Sequence, residues 1–181
     1  MRKLLGIAGA LAFSLALAVP ARADEGVAPT ARFGLGVGIP YGMAGVNTEV
    51  GLNIIGLKVS AVGGIGAMLG QDSHKVAMAR VVGVRAGLAL GVVEPRMSLM
   101  YGTVGYIDRI RIGADQQQTV SMESYTDWAA GIGMRVRLSK SAALEADVFY
   151  TPATFDGAQL RDGFRVGNGT VKGAIGLSMG F

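Results

Sequence analysis

The sequence predicts an all-β protein: eight antiparallel strands closing an up-and-down barrel that spans a membrane. Three observations predict it. Apolar residues recur at every second position over runs of about ten residues, the length a tilted strand needs to cross a bilayer. The connections between runs alternate between short turns and longer polar stretches. The opposite faces of the runs hold the glycines, alanines and most of the charges.

The chain has 181 residues, enough for one domain. Residues 1–23 read as a cleaved secretory signal peptide. Arg2 and Lys3 give a positive start, Leu4 to Val19 is apolar, and Ala21-Arg22-Ala23 has the A-x-A form of a cleavage site. Residues 24–181 are then the barrel. Of 17 Lys and Arg, three leave with the signal while all 13 acids stay, so the mature net charge is near +1. That balance excludes a nucleic-acid binder. There is no cysteine, so no disulfide holds the exported chain.

Arg32 to Ile39 alternates strictly, with Phe33, Leu35, Val37 and Ile39 on one face and Gly34, Gly36 and Gly38 on the other. Pro40-Tyr41-Gly42 is a tight turn. The second run sets Ala44, Val46, Thr48, Val50 and Leu52 against Gly45, Asn47, Glu49 and Gly51. The third sets Ile55, Leu57, Val59 and Ala61 against Gly56, Lys58 and Ser60. After a polar connection at 70–75, Val82, Val84, Ala86, Leu88 and Leu90 oppose Val81, Gly83, Arg85, Gly87 and Ala89. A turn over Val92 to Pro95 leads to the fifth run, where Met97, Leu99 and Tyr101 oppose Arg96, Ser98, Met100 and Gly102. Residues 109–124 read as a long polar loop. The sixth run places Thr126, Trp128, Ala130, Ile132, Met134, Val136 and Leu138 opposite Tyr125, Asp127, Ala129, Gly131, Gly133, Arg135 and Arg137. In the seventh, Leu144, Ala146, Val148 and Tyr150 oppose Glu145, Asp147 and Phe149, and 152–169 is the second long loop.

The last run, Val171 to Phe181, has Val171, Gly173, Ile175, Leu177, Met179 and Phe181 on one face and Lys172, Ala174, Gly176, Ser178 and Gly180 on the other. An aromatic residue closing such a strand resembles the C-terminal assembly signal of bacterial outer-membrane barrels, here Ile175, Leu177, Met179 and Phe181. Over the whole mature chain the pattern is similar to the small eight-stranded outer-membrane barrels of the OmpA/OmpX type, without a motif that singles out a subfamily. The resemblance implies a Gram-negative outer-membrane location, both termini in the periplasm, and a monomer. Implied partners are outer-membrane lipid, lipopolysaccharide and the barrel-assembly machinery during insertion.

Two apolar segments, Ile54 to Gly70 and Val81 to Val93, carry glycine spacings seen in packed membrane helices. Each is short for a span and interrupted by Lys58 or Arg85, charges that the two-residue period assigns to the non-lipid face. A soluble sandwich would need polar outward faces. The same period gathers Lys58, Arg85, Arg96, Arg135, Arg137 and Lys172 with Glu49, Asp127, Glu145 and Asp147 inside the barrel. Facing lipid at mid-bilayer, each basic residue would cost about 2–4 kcal/mol. An eight-stranded bore holds only side chains, so these groups are expected to pair as a polar plug. A narrow channel is the alternative, and a lipid A-modifying enzyme a third reading.

No catalytic, cofactor or metal site is expected. Asp72-Ser73-His74 places three triad residue types side by side in a loop, whereas a triad converges from distant positions. The Gly34/Gly36/Gly38 and Gly63/Gly64/Gly66 spacings lack the strand–turn–helix setting of a dinucleotide loop. Phe33, Tyr41, Trp128, Tyr150 and Phe181 fall near strand ends, where aromatic rings settle at membrane interfaces. Arg80 is the one charge on the apolar register, able to snorkel to lipopolysaccharide phosphate. Arg109, Arg111, Asp115, Asp156, Arg161, Asp162 and Arg165 decorate the long loops as candidates for surface recognition.

Overall fold

The computed structural model describes residues 27–70, 73–112, 118–152 and 163–180. The expected signal peptide, Phe181 and the centres of the two long connections lie outside the described residues. The alternating runs form strands β1 (Val27–Gly38), β2 (Met43–Ile54), β3 (Leu57–Leu69), β4 (Val76–Leu88), β5 (Val93–Ile112), β6 (Gln118–Arg137), β7 (Ala142–Thr151), β8 (Phe164–Val166) and β9 (Gly169–Gly180). Both segments weighed as helices are strands.

From β1 to β7 each strand pairs antiparallel with the next, β7 pairs with β9, and β1 pairs with both β2 and β9, so the sheet closes. Eight strands make the barrel. The three-residue β8 lies on the edge of β9 beyond the point where β1 has ended. One end, the near end, carries the start of β1, the end of β9 and the tight β2–β3, β4–β5 and β6–β7 turns. The far end carries the longer connections.

Closure decides what each face meets. Leu35, Leu52, Val59, Val84, Met97, Ile132, Val148 and Leu177 come one from each barrel strand, and all are exposed on the outer wall. Their neighbours in sequence point into the lumen. Soluble monomers rarely expose more than a few hundred Å² of contiguous apolar surface; here the apolar surface circles the molecule.

Four features depart from the sequence reading. Residues 109–124 are mostly strand, because β5 and β6 stay paired out to Ile112↔Gln118. β4 leaves β5 at Gly102 and β7 leaves β6 at Ala130, so this hairpin runs past the barrel rim. In sequence the stretch mixes Ile and Val with Arg, Asp and Gln without a regular alternation, which is why polarity alone suggests a loop. The 152–169 connection likewise contains β8. Residues Ile39–Tyr41 form a 3-10 turn that folds into the lumen, leaving Ile39 and Tyr41 fully buried, not on the outer wall or at an interface. Gly42, at φ 58°, ends that turn in a left-handed conformation that suits glycine.

The fourth departure is in the filling of the lumen. Its far half is apolar: Val62, Val81, Met100, Val104, Ala129 and Phe149 pack with Ile39, and beyond them Met68, Ala79 and Tyr106 close the mouth. The network of paired charges occupies the near half, and Lys172 lies apart from it in the far half.

Candidate functional site

The near half of the lumen contains four carboxylates, Glu49, Glu94, Glu145 and Asp147, and four cations, Lys58, Arg85, Arg96 and Arg135. They come from β2, β3, β4, β5, β6 and β7, each placed inward by strand parity. None of the eight side chains is more than 7% exposed. Within this fully buried layer four charges of each sign cancel, and Arg32 lies half-buried beside it at the near rim.

Arg135 is the hub. Its Nε donates to Glu145 Oε1 at 2.8 Å, Nη1 to Glu94 Oε1 at 2.5 Å, and Nη2 to Glu49 Oε2 at 2.6 Å. One guanidinium thus ties three strands across the lumen, an arrangement suited to its five donors spread in a fixed plane. Arg96 grips Asp147 with two parallel bonds, Nε to Oδ1 at 2.8 Å and Nη2 to Oδ2 at 2.6 Å, and reaches Glu145 at 3.0 Å. Arg85 donates to Glu49 at 2.7 Å and to Ser98 Oγ at 3.1 Å. Lys58 Nζ bonds Glu94 Oε2, and the Ser60 hydroxyl donates to Glu49 Oε1 at 2.9 Å. From the far side the Tyr41 hydroxyl donates to Glu145 Oε2 at 3.0 Å, joining the lumenal turn to the charged layer. Small residues make the room. A side chain at Gly133 would collide with Asp147, and one at Gly176 with the Tyr41 ring.

Of the residues singled out in the sequence, Glu49, Lys58, Arg85, Arg96, Arg135, Glu145 and Asp147 meet in this layer. Lys172 is buried at the far end of the lumen. Asp127 and Arg137 lie outside the network. Asp127 sits level with the apolar half and accepts from its neighbour's backbone, Trp128 N–H, at 2.7 Å. Arg137 is exposed one position beyond the last charged rung, at the near rim. Glu94 was missed because Pro95 suggested a turn, yet proline is tolerated near the start of a strand. Glu94 shares parity with Arg96, Ser98 and Met100, and extending that alternation two residues back would have found it.

No protein-family model matches the chain, and no curated protein matches it. Among solved structures, the N-terminal β-barrel domain of Pseudomonas aeruginosa OprF aligns at 12% identity with a TM-score of 0.40, covering 88% of this chain and 100% of that one. Ail, the attachment invasion locus protein of Yersinia pestis, crystallised with the heparin analogue sucrose octasulfate, aligns at 13% identity with a TM-score of 0.38, covering 87% of this chain and 100% of that one.

The other candidates sit on the outside. Arg80 is exposed on the outer wall of β4, its backbone N–H donating to Thr103 Oγ1 at 3.3 Å. Two strands away Trp128 packs on Tyr101 with ring centroids 5.0 Å apart, and Tyr150 and Phe33 are exposed on the same wall. His74 is exposed at φ 52° in the β3–β4 connection, where the Ser73 hydroxyl accepts from Lys75 N–H at 3.4 Å. Asp72 lies outside the described residues. In β9, Ile175, Leu177 and Met179 face outward beside Leu35 and Val37 of β1.

Proposed function

We infer that this chain is an exported, non-enzymatic outer-membrane barrel with a sealed lumen, serving to stabilise the envelope and to display its far-end connections. The observation that carries this reading is the combination of an apolar outer wall with a lumen that holds the Arg135 network in its near half and packed apolar side chains in its far half. Hydrocarbon is the medium that such a wall suits. The Arg135 hub across the bore and the apolar layer above it support a closed lumen. With the far end outside, the long β5–β6 hairpin is the part of the molecule best placed for contact with other surface components.

Arg80, above the Tyr101–Trp128 pair, suits a lipopolysaccharide phosphate, and the outward face of β9 suits handling by the barrel-assembly machinery. The chain is read as a monomer. In planar bilayers the purified protein is expected to give no stable openings. Reproducible unitary currents would overturn the sealed-lumen reading and favour a narrow channel.

A further inference from the structure

The near end differs from one side of the barrel to the other. Leu57 pairs with Leu88, so the β2–β3 and β4–β5 turns stand side by side, and the Ala89 N–H donates to the Gly56 carbonyl between them at 2.8 Å. Ile55 is 89% exposed at the tip of the first turn, and Leu90 and Val92 are 58% and 64% exposed on the second. From Leu88 to Val93 no side chain is polar. Asn53, the polar residue of the first turn, is engaged within it, accepting from the Gly56 N–H at 3.0 Å. The β6–β7 connection is the reverse, with Arg137, Ser139, Lys140 and Ser141 all exposed around a single exposed leucine, Leu138.

Ile55 also sits at φ 50°, next to Gly56 at φ 88°. Two positive φ angles make this the hairpin turn for which Asn-Gly is the usual pair, and a β-branched residue is strained there. An isoleucine held against its backbone preference, with its side chain turned outward, points to a role for that side chain. The second turn meets its own backbone needs. Leu90 and Val93 exchange N–H···O bonds in both directions, and the Val92 carbonyl accepts from the Arg137 N–H. Backbone groups satisfied in this way tolerate a medium poor in water.

We propose that this sector of the near rim is a lipid-embedded foot: Ile55, Leu90 and Val92 insert among phospholipid acyl chains just beneath the headgroups, while the β6–β7 turn stays in water. The occupant follows from continuity with the lipid-facing wall. Leu52, Ile54, Leu57 and Leu88 are exposed on that wall and run into the tip with no exposed charge between, since Lys58, Arg85 and Glu94 are all buried. A protein-binding patch in water carries a polar rim around its apolar centre, and none separates this tip from the wall. A foot on one side only draws the β2–β5 sector deeper into the leaflet than the β6–β7 sector. The proposal rests on the membrane reading and adds to it the depth of these turns.

The test uses single-tryptophan versions of the full barrel in phosphatidylcholine nanodiscs, whose two faces are both open to iodide. Trp128→Phe is combined with Ile55→Trp, with Leu90→Trp or with Lys140→Trp, and heat-dependent gel migration confirms that each is folded. Leu90→Trp carries the measurement if tryptophan does not fit the left-handed position of Ile55, since Leu90 is not in that conformation. Emission from the two tip reporters is expected at short wavelength, losing most of its intensity to bromines near the headgroup end of the acyl chains and almost none to iodide. Lys140→Trp should show the opposite pattern. Iodide quenching of the tip reporters equal to that of Lys140→Trp would put the tip in water and overturn the proposal, leaving the turns free for a protein partner. A Lys140→Trp reporter as well shielded as the tip would overturn the one-sided foot. Trp128 of the unmodified protein, read in the same discs, keeps the two failures apart. Wet tips beside a bromine-quenched Trp128 sink the foot alone, whereas a wet Trp128 sinks the membrane reading with it.

Discussion

Replacing Arg135 with methionine is expected to destabilise the barrel by about 3–5 kcal/mol, measured as equilibrium unfolding in urea from detergent or lipid. The size follows from what is left behind. Glu49, Glu94 and Glu145 each lose a bond of 2.5–2.8 Å to one guanidinium, in a place that water does not reach. Within the fully buried layer four carboxylates would then face three cations, Lys58, Arg85 and Arg96, with only the half-buried Arg32 nearby. Such a fraction of a typical 5–15 kcal/mol is enough to compromise folding. Arg135→Lys separates charge from geometry. It keeps the positive charge but cannot hold three carboxylates in its plane, so an intermediate loss is expected. If Arg135→Met unfolds at the wild-type urea concentration, the network is not what ties these strands together.

Tyr41→Ala is expected to have the second-largest effect, about 3–5 kcal/mol, the usual cost of deleting a fully buried aromatic ring. The ring lies against Gly34, Gly36 and Gly176, glycines whose added side chains would each press on it. Its hydroxyl satisfies Glu145. Tyr41→Phe keeps the ring and should cost about 1.5–3 kcal/mol, the value of a hydrogen bond to a charged group. Gly176→Ala should be destabilising alone, because its methyl would overlap the ring, and less so with Tyr41→Ala, which leaves only the close approach to the Leu35 carbonyl. Strong coupling in that double-mutant cycle would verify the contact. Additive losses would mean that the turn does not pack on β9.

The period of two carried most of the fold. Strand direction, closure and the assignment of Glu145, Asp147 and Arg135 to one face and Leu144, Val148 and Ile132 to the other all follow from it. Parity does not reveal height along the axis, so it grouped Asp127 and Arg137 with charges from which the structure separates them. Nor does it reveal which inward residues share a layer. Val62, Val81, Met100 and Phe149 occupy inward positions, and only the closed sheet shows that they stack into an apolar half. The turn at Ile39–Tyr41 was legible as a turn. Its inward fold was not, because the glycines that accept Tyr41 are far apart in the chain. Position 176 is brought beside position 36 only by closure of the seam. The β5–β6 extension escaped notice for a simpler reason: beyond the rim a strand has no apolar wall to build, and its alternation fades.

Trp128 is the chain's single tryptophan, and it is 52% exposed on the outer wall of β6. Its fluorescence in vesicles therefore reports directly on what that wall touches. With brominated phospholipids the emission is expected to be strongly quenched, while iodide in the water leaves it nearly unchanged. Emission that ignores the bromines and is quenched by iodide would place the apolar wall in water, contradicting a barrel that turns its oily side to lipid and its charges inward.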